Sequence, residues 1–157
     1  MNSDNLNIYN NLVKLTRNKN LYQNLKNNDT FSDRLVILLL HFGFFLKVYK
    51  DNVTKKEAQN LFDFFIRQIE LSIREIGYGD VSVNKKMKDY VNLFYSILEK
   101  IEKWDYLEKS EKINLIADLM NIYKDNDLID NYLDKYKDFL SKNPLKKFSK
   151  DIIELKF

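Results

Sequence analysis

His41 is the only histidine in the chain, and cysteine is absent. Without thiols there is no disulfide, no thiolate metal site and no cysteine nucleophile, and one imidazole excludes His-rich metal sites and bis-histidine haem ligation. A Ser–His–Asp triad would have to recruit His41 from an apolar stretch, and no Gly-x-Ser-x-Gly elbow presents a serine. A Glu-x-x-His di-iron pattern fails because Leu38 stands three residues before His41. The Walker A pattern is missing. Gly77-Tyr78-Gly79 followed by Asp80-Val81-Ser82 is half a dinucleotide fingerprint, and it follows a helical pattern rather than a strand. The basic residues form no DNA- or RNA-recognition motif. The expectation is a protein without catalysis, cofactor, metal, DNA partner or small-molecule substrate. His41 then has two readings: a buried neutral histidine hydrogen-bonded to a neighbouring carbonyl, or a ligand or proton-transfer group.

Chemistry of another kind gathers at Arg74-Glu75-Ile76-Gly77-Tyr78-Gly79-Asp80, which holds two of the three glycines. Gly77 sits where a helix C-cap takes a left-handed residue, and Asp80 or Ser82 is placed to cap the helix that follows. Arg74 and Glu75 lie before the corner, and Lys85, Lys86 and Lys88 after it. Arg74 paired to Asp80 or Glu70 would hold the corner rigid; the same charges left exposed would serve a partner.

The elements that position these residues read as helices. The chain has 157 residues, 45% of them apolar, with eleven Phe, ten Tyr, one Trp, three Gly and one Pro. That aromatic content argues for a filled core, and so little turn chemistry argues against many strands. The fold class is therefore all-α, a single compact domain of about six helices. The net charge of +3 permits contact with anionic lipid or RNA without indicating either. The polar start Met1-Asn2-Ser3-Asp4-Asn5 resembles neither a secretory nor a transit peptide. The apolar run Leu35–Leu46 is well short of the roughly 20 residues that span a bilayer. A soluble, cytoplasmic protein is expected.

The first helix is expected over about Asp4 to Leu25, with Leu6, Tyr9, Leu12, Val13 and Leu15 on one stripe and a break near Arg17 to Asn20. Asp29 or Thr30 caps the second, about Phe31 to Tyr49, which is apolar all round through Leu40 and so belongs at the centre; Gly43 either allows close helix approach or is simply tolerated there. Thr54 with Glu57 is a capping box opening a third helix to Ile76, with Phe62, Phe65, Ile66, Ile69, Ile73 and Ile76 as its stripe. Phe64 and Leu71 fall nearly opposite, among Arg67 and Arg74, either packed under another element or exposed for a partner. A fourth helix is expected from about Asn84 to Trp104, with Met87, Tyr90, Val91, Phe94, Leu98 and Ile101 inward. Ser110 caps a fifth to about Tyr123. Asn126 or Asp127 caps a sixth, about Leu128 to Leu140, and Asn143-Pro144 stops it. The tail, 141–157, mixes Lys142, Lys146, Lys147 and Lys150 with Phe148, Ile152, Ile153, Leu155 and Phe157; it is read as packing on the core, about 9–140, with membrane-surface contact as the alternative.

These residues resemble the ubiquinol–cytochrome c chaperone family, in its alphaproteobacterial form. Leu61-Phe62-Asp63 and Ile73-Arg74-Glu75-Ile76-Gly77-Tyr78-Gly79-Asp80-Val81-Ser82-Val83, then Lys85, Met87 and Lys88, are similar to the family's Leu-Phe-Asp, its Leu-Arg-Glu-Met-Gly-Val-Gly-Asp-Leu-x-Val and its Lys-rich continuation. Leu12-Val13, Arg17, Leu21-Tyr22, Asp29-Thr30, Asp33-Arg34, His41 and Phe94-Tyr95 follow in order, so the resemblance covers roughly Tyr9 to Phe139. Ser96-Ile97 replaces the family's Gly-Arg, which removes one expected basic contact; Asn84 stands where Gly or Pro is common, and Glu70 where Asp is. After about Leu107 the match is to pattern alone.

The resemblance implies a non-catalytic assembly factor of respiratory complex III. Mitochondrial relatives bind newly made cytochrome b together with a small partner protein, near the ribosome. The implied partners are cytochrome b or another respiratory membrane protein as client, a small partner protein, and the ribosome or inner-membrane surface. A soluble binder of such a client needs an apolar groove rimmed by charge. The client-binding residues are then Phe64, Arg67, Leu71, Arg74, Glu75, Asp80, Lys85 and Lys88, with Gly77 and Gly79 as structural enablers of the corner. The alternative is a basic peripheral membrane or ribosome adaptor acting through Lys85, Lys86, Lys88 and the tail lysines.

Overall fold

A computed structural model describes residues 2–18, 21, 31–120 and 127–150. Among these, seven α-helices run in the order α1 (Asn2–Thr16), α2 (Phe31–Tyr49), α3 (Lys55–Ile76), α4 (Asp80–Glu102), α5 (Lys109–Met120), α6 (Asp127–Lys142) and α7 (Leu145–Lys150). The described residues contain no strand. The expected all-α domain is what the chain forms. The expected features at Tyr22, Leu25, Asp29, Thr30, Tyr123, Asn126, Ile152, Ile153, Leu155 and Phe157 lie outside the described residues.

The centre is α2. Every residue from Ile37 to Phe45 is buried, as its lack of a polar face requires, and the other helices wrap it. Phe42 sets the layering: its ring stacks on Phe65 of α3 at 3.7 Å and 4°, and on Phe94 of α4 at 5.1 Å and 7°. Such pairs add about 0.5–1.5 kcal/mol each beyond the area they bury. One residue on, Gly43 lets α4 close in; a Cβ there would meet Ile101 Cδ1 at 2.9 Å and Ile97 Cγ2 at 3.3 Å.

The one imidazole joins α6 to this centre. His41 Nδ1 donates to the Ile37 carbonyl at 2.7 Å, which leaves Nε2 to accept from the Tyr132 hydroxyl at 2.7 Å. Tyr136 donates to the His41 carbonyl at 2.8 Å. Burial holds the imidazole down at about 4, so the ring is neutral. Of its two readings, the buried histidine on a neighbouring carbonyl is the one realised. At the far end of α2 the buried Tyr49 hydroxyl lies 2.9 and 2.8 Å from the carbonyls of Leu140 and Asn143, satisfying the end of α6. The chain then turns into α7, whose Phe148 is fully buried beside Phe45. Asn11 and Asn7 on α1 donate to the Phe148 and Ser149 carbonyls at 2.9 and 3.0 Å.

Several boundaries and stripes differ from expectation. The buried line of α3 is Leu61, Phe65, Ile69 and Ile73; Phe62 turns aside to stack on Phe94 and Tyr95 of α4, and Ile76 runs past the core and is 49% exposed. On α1 the line is Ile8, Leu12 and Leu15, while Leu6 is exposed. On α4, Val83 and Ile97 join Phe94 and Ile101 inside. Trp104 does not end α4 but enters a separate 3-10 turn, 104–106; it is fully buried, and its indole N–H donates to Asp134 at 2.8 Å. Ser110 lies within α5, one residue past its start, rather than capping it.

The third helix opens as expected, with the Glu57 N–H donating to Thr54 Oγ1 at 3.1 Å. It ends on Gly77 at φ 107°, whose N–H donates to the Arg74 carbonyl at 3.0 Å. The start of α4 corrects the expected cap. Gly79 is the N-cap, without a side-chain bond, and Asp80 is the first helical residue. The Asp80 carboxylate cannot cap because it is turned back to Arg74.

Two outcomes follow. At Gly77 an added Cβ meets nothing, so Gly77→Ala should cost only the left-handed backbone, about 1–2 kcal/mol in urea unfolding, whereas Gly79→Ala at φ −71° should cost well under 1 kcal/mol. The depressed His41 value makes the unfolded chain bind the extra proton as pH falls below 6.5. The His41 contribution to stability is therefore complete above that pH and should fall by about 3 kcal/mol on descending to pH 4; His41→Gln should remove that part of the slope in chemical unfolding followed across pH.

Candidate functional site

Where α1, α3 and α7 diverge around the last turns of α2, they leave a groove of about 580 Å³. Its floor is apolar: Ile8 from α1, Phe45 and Leu46 from α2, Leu61 and Phe64 from α3, and Leu145 from α7. Each element is held open by contacts already made elsewhere. Phe45 packs on Phe148, and Tyr9 sets its ring edge-on against Phe64 at 6.3 Å and Phe65 at 5.1 Å. Along α3 the groove runs from Glu57 to Arg67, roughly 15 Å at 1.5 Å per residue.

Its rim is charged. Asp4, Glu57 and Asp63 bring carboxylates, and Arg67 a guanidinium. Asp4 is bonded to Lys150 at 2.7 Å, which holds its carboxyl below the ordinary range. Arg67 donates to Glu70 Oε2 at 3.1 Å. Glu57 and Asp63 have neutral partners: the Thr54 hydroxyl donates to Glu57 at 3.2 Å, and Gln59 Nε2 to Asp63 at 2.8 Å.

The predicted site residues divide between this groove and the corner. Phe64 and Arg67 line the groove. Seven residues beyond Arg67 along α3, about 10 Å away, Arg74 is clamped on two sides. Its Nη1 donates to Asp80 Oδ1 at 2.5 Å, and its Nη2 and Nε donate to Glu70 Oε1 at 3.1 and 3.3 Å. Asp80 and Glu70 raise the guanidinium further, and bonds from Arg74 and Arg67 hold the Glu70 carboxyl below its usual range. Arg74 thus ties the last turn of α3 to the first residue of α4. Glu75, Lys85 and Lys88 are exposed around it, and Leu71 is 37% exposed. A smaller hollow of about 210 Å³ opens beside the corner between Phe31, Ile76, Tyr78 and Tyr90, with Lys86 Nζ 4.5 Å from the Tyr78 ring centre.

Sequence reasoning missed Asp4 and Leu145 as site residues, and saw Glu57 only as a cap and Asp63 only as part of Leu-Phe-Asp. The available signal was Asn7 and Asn11 flanking the buried Ile8, since amides on an apolar face need distant partners. His41 has no such opening: it is 1% exposed, and the space beside it, lined by Leu21, Leu40 and Leu133, is about 10 Å³.

No helix among the described residues is long and apolar enough to cross a membrane. Comparison with curated proteins and with solved structures returns no match. A family model described as ubiquinol-cytochrome C chaperone matches residues 23–115, a stretch that takes in α2, α3, the corner, α4 and the first half of α5. With more than half of its length inside that match, this chain belongs to the ubiquinol–cytochrome c chaperone family.

Proposed function

We propose that this chain is a non-catalytic chaperone that holds newly made cytochrome b through the groove between α1, α2, α3 and α7. Membership in the family gives it a chaperone role in complex III assembly; the client and the place of contact are the step added here. The observation that carries the reading is the groove, an apolar floor ringed by charge on a surface otherwise rich in lysine. A membrane protein lacking its cofactors and subunits exposes apolar helix faces, and a helix laid in a groove is one of the recurring ways such faces are bound.

Within this reading the predicted residues take different parts. Phe64 and Arg67 touch the client. Gly77, Gly79, Arg74 and Asp80 fix the angle at which α4 leaves α3. Leu71, Glu75, Lys85 and Lys88 give an outlying contact on the same side of the corner. The basic-adaptor alternative keeps an accessory part, because Lys147 and Lys150 are engaged with Asn143 and Asp4 inside the molecule. Lys85 and Lys88 then hold the protein peripherally, near the inner membrane or ribosome, on the cytoplasmic side.

Tagged full-length chain should recover cytochrome b from a bacterial membrane extract. Ala58→Trp and Asn60→Trp each place an indole in the groove from the outer side of α3. Either should reduce recovery at least about tenfold with melting unchanged, as losing a central apolar contact does. Lys85→Glu with Lys88→Glu should reduce it only about twofold at physiological salt, where exposed charge is screened. Full recovery with both indole variants would remove the groove as the site, and no recovery with the unaltered chain would remove cytochrome b as the client.

A further inference from the structure

The charge of the groove rim runs against that of the molecule. The chain carries a net +3, yet three carboxylates and one guanidinium line the groove. Two of those four charges are already spent: Asp4 is neutralised by Lys150, and Arg67 by Glu70. Glu57 and Asp63 are left, six residues apart on α3, both exposed and both hydrogen-bonded to neutral groups. No cation among the described residues forms an ion pair with either. The opening that would accept an apolar segment therefore carries two uncompensated negative charges along one wall.

Membrane helices have a matching asymmetry, since their cytoplasmic ends carry an excess of lysine and arginine immediately beside the apolar span. Resting on the client reading above, we propose that the groove grips the basic cytoplasmic end of a client helix. Apolar side chains enter over Leu61, Phe64 and Leu145, and the flanking Lys or Arg meets Glu57 and Asp63. The groove length suits about ten residues of helix, which is the end of a span rather than the whole of it. An acidic flank is rejected by like charge, so the polarity of the helix end decides which part of the client is held.

The test uses two synthetic amphipathic helices of about fifteen residues with the same Leu- and Ala-rich face. One ends in Lys-Lys-Arg and the other in Glu-Glu-Asp, and binding to the full chain is followed by fluorescence anisotropy. The basic-ended peptide should bind about tenfold tighter at low salt, with the gap narrowing as screening rises. Glu57→Lys with Asp63→Lys should reverse the order, at the cost of the Thr54 cap and a slightly lower melting point. Glu57→Gln with Asp63→Asn, which keeps a capping side chain, should erase the order with melting little changed. Equal affinity for the two peptides, an order unmoved by the double variants, or binding of neither peptide would overturn the inference. So would a dimer in sedimentation that Asn60→Trp dissociates, which would seat a second copy in the groove. The client reading falls separately, if the indole variants leave cytochrome b recovery unchanged; should they abolish recovery while the peptides show no charge order, only the inference of a basic end is lost.

Discussion

The structure depends on one constraint: α2 has no side that can face water. An isolated helix of that kind is useless, and the chain satisfies it by surrounding α2 on all sides. The wrapping is specific because α2 carries only a few features that break its uniformity. Phe42 takes one aromatic ring from α3 and one from α4, Gly43 admits the isoleucines of α4, and His41 presents two ring nitrogens that must both be bonded. A buried imidazole with one unmet nitrogen would cost about 1–3 kcal/mol. Tyr132 meets it, and in doing so sets the rotation and height of α6. The same residue that invites a catalytic interpretation from its rarity is the polar pin of the core.

The groove is a consequence of how that wrapping ends. Around the last turns of α2 the neighbours are α1, α3 and the short α7. A helix of six residues has little stability alone, so α7 is hung from others: Phe148 inserts beside Phe45, and two asparagines of α1 bond to its Phe148 and Ser149 carbonyls. These attachments hold α7 by its far side. Its Leu145 edge stays open toward α3, and the gap between them is the groove. The wall is therefore fixed by the buried Phe148 and by polar bonds, while the half-buried Leu145 lines the groove, an arrangement that suits a preformed binding surface.

Much of this was legible in the sequence, and the remainder failed for identifiable reasons. The bounds of α2, its central place, the Thr54–Glu57 cap and the left-handed Gly77 all come from short-range rules, and short-range rules decided them. Asp80 is one of two cap candidates after the glycine corner, with Ser82; a longer reach, from Arg74 six residues back, claims its carboxylate instead. The stripe predicted for α3 lies one residue off centre because Phe62 is as apolar as Leu61, and only the stack on Phe94 shows that it belongs to a different neighbour. Trp104 stands where the α4 pattern predicts the helix end, yet a large aromatic just past a helix has every reason to turn inward. The groove was out of reach altogether. Its walls come from residues more than a hundred positions apart, and nothing local in Asp4 or Leu145 says that they will face Phe64.

The corner and the groove lie toward opposite ends of α3, and that placement relates them. Fixing α4 against α3 at the corner fixes Phe94, whose ring closes the stack Phe94–Phe42–Phe65 and so sets the rotation of α3 about its own axis. The rotation decides which residues of α3 point into the groove. A turn of one residue, 100°, would carry Phe64 away from the floor and swing Asp63 off the rim. The Arg74 clamp on Glu70 and Asp80 acts at a distance from any bound segment, yet it holds the register that Phe64 and Asp63 need. On the reading proposed above, Arg74 and Asp80 govern binding without touching what is bound, while Leu61 and Asp63 of the Leu-Phe-Asp motif lie in the groove itself.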